Sequence, residues 1–151
     1  MKALSVKQPW AGNIAIGRKT AEIRSRKIKP QGDILICASL QSYKDIGRFQ
    51  CNNNELWQHK HCSESLCDYY GKAIAVVEWY DTVIFTKSLC EDACFDQTRW
   101  PFGFYENPLA TGEMYIPIWA WMFRNFRPIK PFPVKGKQGL FEIDDSLIEY
   151  L

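Results

Sequence analysis

Short strand patterns separated by glycine and proline fill this 151-residue chain, and they limit its fold more than any other feature. Residues 34–39 are apolar enough to be buried on both faces, and residues 71–85 are rich in β-branched and aromatic side chains. The strand patterns lie at residues 3–7, 18–24, 34–39, 71–85, 114–123 and 140–143. Within 114–123, Pro117 indicates an edge strand or a bulge, because proline cannot donate to a strand ladder.

Helical patterns are few and short. Pro9 suits the first turn of a helix and Gly17 suits its end, so a helix is predicted at roughly residues 9–16. Further short helices are expected, with loops, at residues 41–71 and 89–97. Five or six strands with few long helices predict an α+β, mainly β fold, a small barrel of five to six strands with short surrounding helices. No repeat or linker divides the chain, so we expect one domain over residues 1–151.

Side chains on the strand predicted at residues 18–24 alternate between two faces. One face is Lys19, Ala21 and Ile23, and the other is Thr20, Glu22 and Arg24. Two cations therefore flank one carboxylate, and they would keep it ionised if the three were buried together. Two interpretations remain open at this point: a cleft that binds an anion, or an internal ion-pair cluster that ties the helix to the barrel.

Charge is unevenly distributed along the chain, although the net charge is only +2. Residues 1–30 carry eight basic side chains and one acidic one, and residues 124–137 carry five basic side chains and no acidic one. Four acidic side chains follow within residues 142–149. If the fold joins the two basic segments, the resulting face would suit a phosphate-bearing partner. Ordinary charge scatter on a solvated surface explains the same counts equally well.

No targeting or membrane-spanning segment is visible in the sequence, since nothing approaches the roughly 18 apolar residues that a spanning helix needs. We therefore expect a cytoplasmic protein whose six cysteines are reduced. The segment 51–67 contains a group of metal-ligand residue types, namely Cys51, His59, His61, Cys62 and Cys67. Their spacing is irregular, which favours free thiols and loop histidines over a zinc site and leaves the role of this segment open.

Residues 4–11 and 17–24 together resemble the signature of ASCH domains (activating signal cointegrator homology), whose mark is Gly-x-Lys-x-x-Glu, often with arginine two residues later. Gly17, Lys19, Glu22 and Arg24 fit this spacing. Further segments similar to the family lie at residues 34–39, 119–127 and 133–141. The resemblance implies a β-barrel similar to the PUA domains that bind RNA, with a cleft beside the signature.

The expected ligand of that cleft is RNA, another single-stranded nucleic acid or a modified nucleoside, bound without a metal or cofactor. Lys19 and Arg24 would contact phosphate, and Glu22 would accept a hydrogen bond from a base amino group. The other candidate binding residues are Gln8 to orient the ligand, Trp10 or Trp121 to stack on a base, Ser39 at the cleft floor, and Lys135 and Lys137 on a basic rim. For Ser5 and Ser39, a hydroxyl bonded to backbone at the edge of the core is an equal alternative.

Two further functions stay open. Some ASCH proteins hydrolyse the amide of acetylated cytidine with the signature lysine and a threonine nucleophile, but the position of that threonine is Glu22 in this chain. Others are described as ribonucleases, so Lys19 and Glu22 are the candidate catalytic pair if the protein is an enzyme. A protein-interaction domain that uses the aromatic surface is the third possibility.

Overall fold

Six strands and one short helix make up the part of the chain that the computed structural model describes, which is residues 1–42, 66, 69–95 and 118–151. The elements are β1 (Lys2–Gln8), α1 (Trp10–Ala15), β2 (Ala21–Arg24), β3 (Gly32–Ser42), β4 (Lys72–Ile84), β5 (Trp119–Pro133) and β6 (Leu140–Glu142). Two 3₁₀ turns lie at Lys87–Leu89 and Asp145–Leu147. The helix predicted at residues 9–16 and the expected mainly β character are confirmed.

The strands form one mixed sheet in the order β2-β5-β4-β3-β1-β6. β1 runs parallel to β3, whereas the other four pairings are antiparallel. The order ends at β2 and at β6, and no ladder joins those two strands within the described ranges. The closed barrel expected from the sequence is therefore not confirmed, while the upper count of six strands is.

Core packing covers both faces of the sheet. On β3, Ile34 and Ile36 point to the face that α1 covers, whereas Leu35 and Cys37 point to the opposite face. All four are buried, as the apolar run at residues 34–39 predicted. A third apolar cluster lies where β2 and β5 meet the segment that follows β4, and it includes Ala21, Phe85, Cys90, Ala93 and Ala120.

The end of α1 fixes where the signature strand starts. The backbone N–H groups of Arg18 and Lys19 both donate to the Asn13 carbonyl at 3.0 Å. Gly17 has φ of +74°, and a Cβ there would lie 2.9 Å from the Phe126 ring, so only glycine fits this turn. Because the turn continues through Lys19, β2 begins at Ala21, three residues later than the strand predicted at 18–24.

β5 differs most from its prediction. The pattern placed a strand at residues 114–123, but residues 114–117, including Pro117, lie outside the described part, and β5 runs from Trp119 through three prolines to Pro133. β2 pairs only with residues 119–122 of β5. Further along β5, Ile129 forms an antiparallel bridge with Tyr150, and the Lys130 N–H donates to the Glu149 carbonyl. Three register shifts along the β4–β5 ladder accommodate this strand.

Other expectations fall partly or wholly outside the described residues. The helix predicted at 89–97 is instead a 3₁₀ turn at Lys87–Leu89 followed by turns to residue 94, and residues 96 and 97 are not described. The Cys and His residues of segment 51–67 also lie outside. Among the helices of the described part, none is long and apolar enough to span a membrane.

Candidate functional site

A cleft of about 920 Å³ opens beside the signature strand. Its walls come from the last part of β1, from β2, from the end of β3, from residues 93–95 and from residues 134–139. Lys7, Lys19, Arg24 and Lys137 line it, and Glu22 is the one carboxylate among its described lining residues. The cleft therefore carries a local excess of positive charge.

Glu22 lies between two cations at the wall of this cleft. Its Oε2 is 3.3 Å from the Lys19 ammonium, and its Oε1 is 3.0 Å from the Arg24 guanidinium. The Glu22 side chain is only 12% exposed, so it forms an ion pair on each side within a largely buried site. The ion-pair cluster and the cleft, which the sequence left as alternatives, are the same group of residues.

Lys19 has its hydrogen bonds filled. The Nζ donates to the Ala21 carbonyl at 2.7 Å and to the Ala93 carbonyl at 2.6 Å, and Glu22 takes the third position. An ammonium has three donors, so none is left over for a ligand. The strand alternation was wrong in separating Lys19 from Glu22, because Lys19 precedes β2 and its buried side chain turns back to meet the carboxylate.

Arg24 has the opposite character. Its Nη2 makes both described bonds, to Glu22 and to the Ser5 carbonyl at 3.3 Å. Its Nε is buried and has no acceptor among the described residues. Trp121 lies 5.9 Å from the guanidinium carbon and helps to hold its plane. Arg24 is thus fixed in place and keeps a donor for an anion.

Trp10 and Trp121, the two candidates for base stacking, lie in different places. Trp10 is partly buried, lines the cleft and lies 5.9 Å from the Lys19 ammonium. Trp121 is 3% exposed, stacks on Trp79 at 4.1 Å between ring centroids, and donates its indole N–H to the Arg26 carbonyl. Its ring faces are covered, so a base cannot stack there, and of these two tryptophans Trp10 is the one that lines the cleft.

Gln8 does not reach the cleft. Its side-chain amide donates to the carbonyls of Leu66 and Tyr69, and its Oε1 accepts from the Gly12 N–H. It is 1% exposed and is not among the lining residues. Together these bonds tie Gln8, at the end of β1, both to α1 and to the chain before β4, so its side-chain amide is used within the fold.

Two serines and two lysines complete the sequence candidates. Ser39 lines the cleft, but its hydroxyl is bonded to the Gln41 backbone in both directions. Ser5 also lines the cleft, and its Oγ is buried with no hydrogen-bond partner in the described chain. Lys137 is exposed on the rim, whereas Lys135 is exposed but outside the lining.

The two basic segments meet only in part. Lys7, Lys19 and Arg24 come from the first, and Lys137 alone comes from the second. The other three arginines and lysines of residues 124–130 pair with carboxylates elsewhere: Arg124 with Glu78, Arg127 with Asp33 and Lys130 with Glu149. The basic face proposed from charge counts is therefore narrower than expected and is confined to the cleft.

Asp92 and Ala93 are parts of the site that the sequence did not indicate. The Asp92 carbonyl accepts from the N–H groups of Thr20 and Ala21, and its carboxylate accepts from the Thr20 hydroxyl at 2.9 Å. The Ala93 carbonyl holds Lys19. Cys37, at the cleft floor, is also new, and burial raises its pKa to about 12, so it stays a neutral thiol. Every residue has a main-chain carbonyl, so a sequence pattern cannot show which carbonyls accept hydrogen bonds in a site.

Comparison with known proteins identifies the family of this chain and agrees with its fold. The ASCH domain model matches residues 4–86, which is more than half of the chain. The crystal structure of an ASCH protein from Zymomonas mobilis superposes with a TM-score of 0.59 at 15% identity and covers 98% of this chain and 95% of its own. A tyrosine-to-phenylalanine variant of that protein superposes with a TM-score of 0.53 at 16% identity, with 98% of both chains covered. A serine-to-alanine variant superposes with a TM-score of 0.54 at 17% identity and covers 98% of this chain and 96% of its own. No curated protein matches the sequence. Because the family match spans the signature and most of the sheet, the chain belongs to the ASCH domain family.

Proposed function

We propose that the cleft binds RNA or a modified nucleotide, with Arg24 on a phosphate and Glu22 on the edge of a base. The observation that carries this proposal is the difference between the two cations. Lys19 donates to two main-chain carbonyls and pairs with Glu22, whereas Arg24 Nε has no hydrogen-bond partner among the described residues. A fixed guanidinium with an unused donor in a positively charged cleft matches the geometry of phosphate oxygens.

Base recognition in this proposal falls to Glu22 and Trp10. Each carboxylate oxygen of Glu22 holds one cation and still has a lone pair, which can accept from the amino group of a base. Trp10 lies in the same cleft, and stacking on an aromatic ring contributes about 1–3 kcal/mol per base in single-strand binders. Membership in a PUA-like family generally linked to RNA binding supports the same ligand class.

Binding of a fluorescent single-stranded RNA, measured across a salt series, tests the proposal. Arg24→Ala and Lys137→Ala should each weaken binding and reduce the salt slope by about 0.7, the value for one phosphate contact on a single strand. Lys29→Ala is the matched control, because Lys29 is exposed and outside the cleft. Unchanged affinity and slope in Arg24→Ala would refute this function.

Hydrolysis through Lys19 and Glu22 is supported less well by the same contacts. An ammonium that already donates to Ala21, Ala93 and Glu22 must break one of these bonds before it can act on a substrate. Turnover of single-stranded RNA or of acetylated cytidine that disappears in folded Glu22→Gln would nevertheless establish catalysis. Recovery of proteins without nucleic acid in a low-salt pull-down would instead favour an interaction domain.

A further inference from the structure

Two unpaired polar atoms lie in one wall of the cleft. Ser5 Oγ and Arg24 Nε are both buried, and neither has a hydrogen-bond partner in the described part of the chain. They belong to neighbouring groups, because Arg24 Nη2 donates to the carbonyl of Ser5 itself. Buried polar atoms in folded proteins nearly always have a hydrogen-bond partner. Two such atoms without one, both beside a cleft, indicate that a ligand supplies their partners.

We propose that Ser5 Oγ and Arg24 Nε form a phosphoryl subsite beside residues 134–139. This inference rests on the proposed function and assigns a position to the phosphate. The hydroxyl and the Nε–H each offer one donor, and Arg24 with Lys137 supplies positive charge. Two donors beside two cations suit the oxygens of an anion, not a neutral base edge.

Gly136 lies beside the subsite. A Cβ at this position would lie 2.6 Å from Ser5 Oγ, so the absence of a side chain is what lets the backbone come so close. Residues 135–139 are exposed, and Val134, at the start of the segment, is held by a hydrogen bond from its N–H to the Gly71 carbonyl. A small displacement of this segment gives an oxygen access to Ser5 and keeps Lys137 over the bound group.

The experiment compares phosphorylated and unphosphorylated ligands on the full chain. Affinities of the four nucleoside 5′-monophosphates and of the matching nucleosides are measured by calorimetry for wild type, Ser5→Ala and Arg24→Lys. Arg24→Lys keeps the charge but removes Nε–H and the planar fork. Both variants should bind the monophosphates about tenfold more weakly and the nucleosides unchanged, a difference of about 1.4 kcal/mol.

Stability separates this role from a structural one. The Ser5 hydroxyl makes no hydrogen bond within the described ranges, so Ser5→Ala should leave the melting temperature unchanged or raise it. Ser25→Ala is the matched control, because Ser25 is exposed, adjoins Arg24 in sequence and lies outside the cleft lining. Gly136→Ala would place a methyl group 2.6 Å from Ser5 Oγ, in the space that the phosphoryl oxygens would take. It should therefore weaken monophosphate binding in wild type but add little in the Ser5→Ala background, where the subsite is already lost.

The outcomes distinguish the subsite from the function. If wild type binds monophosphates and RNA, but Ser5→Ala binds them equally well, the subsite is wrong and the proposed function stands. If wild type binds neither RNA nor nucleotides, both are wrong. A single-stranded hexanucleotide with a 5′-hydroxyl identifies the source of the phosphate: a tenfold loss in Ser5→Ala means an internal diester occupies the subsite, and a loss confined to monophosphates means a chain end does.

Discussion

Replacing Lys19 by methionine should destabilise the fold instead of merely removing a ligand contact. The substitution keeps an apolar chain of similar length but leaves the carbonyls of Ala21 and Ala93 without their donor and Glu22 with one cation instead of two. Breaking a buried ion pair costs about 3–5 kcal/mol. Because Arg24 still neutralises the carboxylate and buried methionine recovers some apolar contact, we expect the lower end, about 3 kcal/mol.

Urea unfolding followed by tryptophan fluorescence measures this loss. The unfolding free energy should fall by about 3 kcal/mol, and its slope against urea concentration should stay the same. In a thermal melt, the same loss corresponds to a melting temperature lower by about 6–12 °C for a chain of this size. Lys29→Met, an exposed position outside the cleft, should stay within about 0.5 kcal/mol of wild type. A Lys19→Met protein that keeps its stability to within about 1 kcal/mol but loses RNA binding would show that Lys19 is a direct phosphate contact and that the assignment made from its three bonds is wrong.

Three further predictions concern other parts of the fold. Gly17→Ala combines φ of +74° with a Cβ contact of 2.9 Å to Phe126, so the melting temperature should fall by about 4–8 °C, and a fall below about 2 °C contradicts the contact. Burial raises the pKa of Cys37 to about 12 from its ordinary value of 9.0, so iodoacetamide at neutral pH should label this thiol only after unfolding. The folded state should lose stability as pH rises above 9.0, because the unfolded thiol then ionises first. Labelling of the folded chain at the rate of a free thiol would argue against burial. Arg124 donates to Glu78 and lowers the pKa of that carboxyl. The exposed pair therefore adds to folding stability above the usual pKa of 4.5, and this stability is lost as pH falls through the lowered pKa. Arg124→Ala should therefore flatten the acid limb of a melting-temperature profile in low salt, and identical profiles in both proteins would exclude a contribution from the pair.

The positions of the strands could be read from the sequence because two-residue periodicity and turn residues act locally. The pattern at residues 34–39 became β3, and the pattern at 71–85 became β4, with small changes at the ends. What the pattern could not give is pairing. The sheet order and its open ends depend on contacts between distant segments, so the barrel expected from strand count alone was not confirmed.

The sequence named residues for the candidate site, but it could not give the contacts that each of them makes. Spacing identified Lys19, Glu22 and Arg24 as one group, but it could not show that the Ala93 carbonyl, 74 positions away from Lys19, would use the lysine donor. Trp121 was a candidate for stacking because of its residue type. Its register opposite Glu22 in the β2–β5 pair places it beneath the site and inside the core instead.

The backbone bonds from β2 to Asp92 link the site to local unfolding. The N–H groups of Thr20 and Ala21 point to the Asp92 carbonyl and not to β5, so their exchange with deuterium depends on how often the turn at residues 90–94 opens. The same opening releases the Lys19 ammonium from the Ala93 carbonyl, which is one of the groups that hold it beside Glu22. A ligand that binds only while Lys19 and Arg24 both hold Glu22 should therefore slow exchange at these two amides. The degree of protection measures how far the ligand stabilises the closed turn.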